Sequence, residues 1–244
     1  MNPVLLLIAH GSRDPRHAAT VEELAVQVRT LRPDLEIATA YLDHCAPRVA
    51  QVAGRLAGRP AVAVPLLLNR AFHAKHDIPT ALRAAGCALP VADVLGPSPL
   101  LLDALDRRLT DAGLDVRDAA VRARTGVVLA AAGSSDPAAD AATRALADEW
   151  RRTRGWAGVE VAYASAGGPQ VPDALAALRA HGAARTAVAR YLLAPGLLPD
   201  RIATAATEAA ADLLTPVLGA APELAQLLLQ RYDAASATTA RLAA

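Results

Sequence analysis

Short apolar runs recur in both halves of this chain, each followed by a stretch in which apolar residues fall three and four positions apart. In the first half the runs cover residues 4–9, 36–41, 61–68 and 90–94, and the helical spacing covers 15–31, 46–57, 78–86 and 99–112. In the second half runs fall near 127–131, 159–164, 185–193 and 215–218. Runs such as "VLLLIA" are continuously apolar rather than alternating, which predicts strands buried on both faces and therefore a parallel sheet covered by helices.

The two halves are copies of one another. "PVLLLIAHGSRDP" at residue 3 returns as "GVVLAAAGSSDP" at residue 126, and Tyr41 and Pro47 return as Tyr163 and Pro169. Two long copies exclude a solenoid. They predict an α/β fold of two flavodoxin-like parallel-sheet lobes, residues 1–120 and 121–244, joined near "DVRDAAVRART". In both copies Asp-Pro starts a helix, with Asp14 or Asp136 as N-cap and proline at the first helical position. Gly11 and Gly133 let the chain turn sharply after the strand.

What differs between the copies is chemistry. His10 ends the first strand and His73 follows the third, both at the carboxyl edge of the sheet, where open α/β folds bind ligands. Their counterparts are Ala132 and Leu198. A single histidine at a strand end is commonly structural, but two at one edge, both absent from the sister copy, point towards function. Asp43 and His44 follow the second strand, opposite Ser165 and Ala166. A carboxylate there either joins a metal site, orients an imidazole or is solvated. His17 and His181 read as surface residues of helices. Ser12 stands at a helix N-terminus, which suits a bound anion.

Composition narrows the classes. The 244 residues carry a formal charge of +1, unlike a dedicated nucleic-acid binder. The apolar runs fall far short of the roughly 20 residues of a membrane span, and the N-terminus lacks the basic region of a secretory signal. A soluble cytoplasmic protein is expected. Cys45 and Cys87 form no CxxC and read as buried or idle free thiols. No Walker A loop, GxGxxG fingerprint or nucleophile elbow is present, and esterase chemistry through Ser12 lacks a visible base.

"AHGSRDP" after the first strand, with "PLLLNRAFHAKHDIP" after the third, resembles the class II chelatases, specifically the sirohydrochlorin chelatases in their two-copy form. The resemblance spans the whole chain. It implies two lobes related by a pseudo-twofold axis with the tetrapyrrole between them, and an activity that inserts Fe2+ or Co2+, with Ni2+ a further candidate, into sirohydrochlorin. His10 and His73 match the family's active-site histidines and are expected as metal ligands and proton acceptors. Asp43 falls where the family favours glutamate, and Ala71 where it more often has glycine. Ser12, Arg13, Asp43, Arg70, Lys75, Ser134, Ser135 and Arg201 are expected to meet the carboxylate-rich substrate. Neutral imidazole suits these ions, and two imidazoles leave coordination positions open.

The metal is then a substrate, and no permanently bound cofactor is expected. Sirohydrochlorin is the expected partner, with no nucleic acid and no membrane. Two lobes in one chain make a monomer sufficient, though a dimer is allowed. The alternative is a non-catalytic α/β repeat that binds a metal or a tetrapyrrole without inserting one.

Overall fold

Each copy of the repeat builds a parallel sheet around its most apolar strand. In the computed structural model, which describes residues 2–69, 76–165 and 167–242, β1 (Val4–Ala9) is buried along its whole length. It lies between β2 (Ile37–Tyr41) and β3 (Ala61–Pro65), in the order β2-β1-β3. Leu7 sits opposite Thr39 on one side and Val64 on the other. Alternate residues of β1 take opposite faces. Val4, Leu6 and Ile8 pack with α2 (Val49–Arg55) and α3 (Ile78–Ala84) through Val52, Leu56, Ile78 and Leu82. Towards β2, the sheet is covered by α1 (Pro15–Leu31).

The second copy repeats this frame. After α4 (Pro99–Asp111) and α5 (Ala119–Arg122), β4 (Thr125–Ala131) takes the place of β1. It is followed by α6 (Pro137–Arg154), β5 (Gly158–Tyr163), α7 (Val171–Ala180), β6 (Arg185–Tyr191), α8 (Leu197–Glu208) and β7 (Leu213–Val217). The strand order is β5-β4-β6-β7, again parallel. Val128 and Ala130, the counterparts of Leu6 and Ile8, pack with α7 and α8 through Leu175, Leu178 and Ile202. The α/β class and the two parallel-sheet lobes expected from the sequence are thus observed.

The expected strand at 90–94 is reduced to a single bridge between Ala63 and Val91. Ala63 N–H donates to Pro90 O and Ala92 N–H to Ala63 O, and no further ladder forms. Pro90 has no N–H to give, and Pro97 follows closely. In the second copy the corresponding run forms β7, paired with β6 across a register shift between Val188 and Arg190.

The boundary expected from the sequence lies at 120/121, whereas the compact units are divided differently. One comprises Met1–Ser98 with Ala220–Ala244, the other Pro99–Gly219. The last helix of each copy has therefore been exchanged. In the first unit α9 (Pro222–Leu242) packs on α1 and β3. Leu224, Leu227, Leu228 and Tyr232 are buried, Tyr232 Oη donates to Pro3 O at 2.6 Å, and Arg231 Nε donates to Val94 O at 2.8 Å.

In the second unit α4 covers β6 and β7. Asp106 on this helix accepts from Trp150 Nε1 of α6 at 2.9 Å and lies 3.3 Å from Arg154 Nε. Burial pushes its carboxyl up to about 6, against the opposing pull of Trp150 and Arg154. Among the described residues no helix is long and apolar enough to cross a membrane.

Candidate active site

The site is built where β1 and β2 run out. Their pairing continues past the strands: Leu42 N–H donates to Ala9 O at 3.0 Å and Asp43 N–H to His10 O at 2.8 Å. His10, half-buried, is thereby pinned through its backbone to the loop after β2. Gly11 follows with φ +93°, and a Cβ there would stand 1.8 Å from Asp43 O. Glycine is required both by the left-handed backbone and by the close approach of the second loop.

The two loops are also joined by sulfur. Ser12 N–H points at Cys45 Sγ (3.4 Å), and that thiol points back at Ser12 O (3.1 Å). Cys45, read from the sequence as a buried or idle free thiol, is half-buried and part of the frame. Ser12 Oγ accepts from Asp14 N–H at 3.1 Å, and Asp14 caps α1 by accepting from Arg16 N–H at 2.9 Å. The backbone amide of Ser12 is engaged by the thiol. Arg13 is exposed beside it.

Asp43 is exposed, and one of its carboxylate oxygens is hydrogen-bonded twice. Its Oδ1 accepts from Arg48 Nη1 and from His44 N–H, each at 2.8 Å. These two donors, the Arg48 guanidinium first, pull its carboxyl down to about 2. Asp43 Oδ2 lies 3.4 Å from His44 Nε2. The His44 ring meets the His10 ring edge to face, with centroids 6.4 Å apart and planes at 84°. Asp43 is thus exposed to solvent and at the same time stands beside the His44 imidazole.

His17 is not the surface residue it was expected to be. It is half-buried beside Tyr41, with ring centroids 6.4 Å apart, and burial, then the neighbouring His10, lowers its pKa. It sits on the face of α1 that turns towards the strand end, one turn after Asp14. His181 is exposed at the end of α7, as expected.

His73, Arg70, Lys75 and Ala71 lie outside the described residues. Among the described residues no group of three or more His, Cys, Asp and Glu side chains is arranged to hold a metal.

The second unit keeps the loop and omits the donors. Ala132 follows β4, and Gly133 turns at φ +85°. Ser165 occupies the place of Asp43, with its N–H and Oγ both directed to Ala132 O, at 3.1 and 2.7 Å. Ser134 Oγ accepts from Asp136 N–H at 3.0 Å, repeating Ser12, and Ser135 is exposed next to it. Arg201 is exposed on α8, which follows β6. The structure thus places Ser134, Ser135 and Arg201 after parallel strands of the second unit, and His10, Ser12, Arg13 and Asp43 together in the first.

The sequence profile of the CbiX family matches residues 4–112 and again 126–235. The chain belongs to the CbiX family. Among relatives, it is 26% identical over 240 residues to the sirohydrochlorin ferrochelatase of Priestia megaterium, covering 92% of this chain and 87% of that one. It is 30% identical to the sirohydrochlorin cobaltochelatase of Methanococcoides burtonii over 82 residues, 32% of this chain and 63% of the relative. In structure it resembles SirB from Bacillus subtilis with Fe3+, with a TM-score of 0.81, 22% identity, and coverage of 98% and 97% of the two chains. This CbiX chain and that structure share their fold along nearly their whole lengths. The double match of the CbiX profile also accounts for the internal repeat: two CbiX units, one with a histidine after its first strand and one with Ala132 there.

Proposed function

We propose that this chain is a sirohydrochlorin chelatase, which inserts a divalent ion, Fe2+ or Co2+, into sirohydrochlorin with release of two pyrrole protons. The observation that carries the reading is the asymmetry of two otherwise equivalent loops. His10 stands at the carboxyl end of β1, with Asp43 and His44 beside it, where the second copy has Ala132, Ser165 and Ala166. The names of the relatives, a ferrochelatase and a cobaltochelatase, supply the substrate class and the two metals.

Within this reading His10 is a metal ligand and proton acceptor. Imidazole binds borderline divalent ions well enough to draw them from water, and a small donor set leaves positions open so that the ion can be passed on. His73 is proposed as the second such ligand from its place in the sequence. The ion and the tetrapyrrole are substrates, and Ni2+ is a further candidate metal. No resident cofactor belongs to the scheme.

Sirohydrochlorin is a polycarboxylate, so its binding calls for cations and free donors. Arg13, Arg70, Lys75 and Arg201, with Ser12, Ser134 and Ser135, are proposed for that role. Ser12 has its hydroxyl proton for this purpose, since its amide is directed to Cys45. Asp43 is proposed to act at one remove, because Arg48 and the His44 amide already occupy its Oδ1 and the His44 ring stands beside its Oδ2. A cytoplasmic monomer acting without nucleic acid or membrane completes the proposal.

The test is anaerobic absorbance of sirohydrochlorin with Fe2+, Co2+ or Ni2+ in turn, with and without the purified protein. Insertion faster than the protein-free rate is expected with at least one metal, and the ranking of rates identifies it. Tight tetrapyrrole or metal binding with no acceleration by any ion would replace the enzyme by a binding protein.

A further inference from the structure

We propose that His44 is a positioning residue that braces the His10 imidazole by edge-to-face contact, so that His10 presents a fixed ring to the incoming metal. This rests on the chelatase reading above.

Three observations converge on His44. First, its backbone is at φ +59°, and among the described residues only one other non-glycine, Ala210, has a positive φ. Such a conformation is disfavoured for a residue with a side chain and persists where its surroundings hold it. Here they do: Asp43 Oδ1 accepts the His44 N–H, and Cys45 N–H donates to Asp43 O at 2.7 Å, closing a tight turn around the residue.

Second, that turn aims the imidazole at His10, with centroids 6.4 Å apart and an interplanar angle of 84°. This is the perpendicular arrangement that ring quadrupoles favour. Third, the ring is held from behind. Its Nε2 faces Asp43 Oδ2 at 3.4 Å, and Asp43 is itself fixed by Arg48. The loop after β2 thus grips His10 twice. The Asp43 amide holds its carbonyl, and the His44 ring meets its side chain.

A metal ligand is useful only when its nitrogen points where the ion arrives, and imidazoles at metal sites are generally oriented by neighbouring groups. The second copy supplies the control. Where His10 is replaced by Ala132, the sequence has Ser165 and Ala166 in place of Asp43 and His44, so the brace is absent where there is no imidazole to hold. His44 as a whole residue is exposed and lies outside the core cluster of its unit. Its replacement is therefore expected to leave the fold intact, which the thermal midpoint checks.

Two variants separate the ring from its nitrogens. His44→Asn keeps a residue that tolerates a positive φ but removes the ring. His44→Phe keeps an aromatic edge and removes both nitrogens. Each is titrated with Co2+ in the full-length protein without tetrapyrrole, read by cobalt ligand-field absorbance, and assayed for insertion. For His44→Asn, weaker Co2+ binding and a higher KM for the metal are expected, by roughly three- to tenfold. Its kcat and thermal midpoint should stay close to those of wild type. His44→Phe keeps the ring edge and loses the contact with Asp43, so it is expected to recover part of the Co2+ binding and KM that His44→Asn loses.

Unchanged Co2+ binding in His44→Asn overturns the proposal. So does failure of His44→Phe to recover, which would make an imidazole nitrogen rather than the ring the working part. If the wild type inserts no metal but shows this binding pattern, the brace stands and the chelatase reading fails.

Discussion

Replacing Gly11 with alanine puts a Cβ 1.8 Å from the carbonyl oxygen of Asp43 at a backbone φ of +93°. The left-handed conformation alone costs an L-residue about 1–2 kcal/mol. The collision adds to it, because the atom struck is backbone. The Asp43 carbonyl must retreat by more than an ångström, and forced shifts of that kind cost about 1–3 kcal/mol.

Gly133→Ala is the matched control. It pays the same backbone cost at φ +85°, but the atom it meets, at 2.5 Å, is Ser165 Oγ, which can rotate away. Rotation gives up the 2.7 Å bond to Ala132 O, worth about 1 kcal/mol. Gly11→Ala is therefore expected to lose about 2–5 kcal/mol, more than Gly133→Ala at about 2–3 kcal/mol. In a Ser165→Ala background the Gly133→Ala cost should fall to about 1–2 kcal/mol, the backbone share alone. Urea unfolding followed by circular dichroism measures all three, fitted to separate transitions where the two units melt apart. Equal costs at Gly11 and Gly133, with no relief from Ser165→Ala, would refute the account of how the two loops meet.

Two further outcomes follow from the second unit and the exchanged helices. Asp106, raised from 3.8 to about 6 by burial, binds its proton more tightly folded than unfolded. Its contribution is thus fully present below about pH 4 and is lost as pH rises through 6, by up to about 3 kcal/mol. Asp106→Asn keeps the acceptor for Trp150 and should gain on wild type by that margin between pH 4 and 7 in urea melts. A gap that does not change with pH would contradict the shifted carboxyl. A fragment of residues 1–120 lacks α9, whose Leu224, Leu227, Leu228 and Tyr232 are buried in the first unit. It should not form a stable monomer by sedimentation and circular dichroism, and a folded monomeric fragment would show that the exchange is dispensable.

The sheets were legible because their central strands are continuous apolar runs, and the repeat because "HGSRDP" and "GSSDP" follow those runs in register. The Asp-Pro helix starts were equally plain, since capping is local chemistry. The exchange of α4 and α9 was not. An amphipathic helix declares that one face is buried, but its periodicity is silent about which sheet does the burying. The loop contacts were hidden for a related reason. Cys45 and His44 matter through Ser12 and His10, more than thirty positions away, and single-sequence spacing does not report such pairs. The comparison of copies could have raised them, because "DHC" stands opposite "SAG". The fourth strand failed at Pro90, where a β-like composition lacked one amide. His17 was misplaced because an isolated histidine in a helix pattern reads as solvated until Tyr41 is found beside it.

The most direct measurement is insertion of the preferred metal into sirohydrochlorin by His10→Ala beside wild type, with tetrapyrrole binding followed in the same samples. The account predicts that the variant still binds sirohydrochlorin, since cations and serines hold its carboxylates, while insertion falls at least about a hundredfold, towards the protein-free rate. Insertion at the wild-type rate by His10→Ala would contradict the claim that the asymmetry of the two loops is the seat of the chemistry.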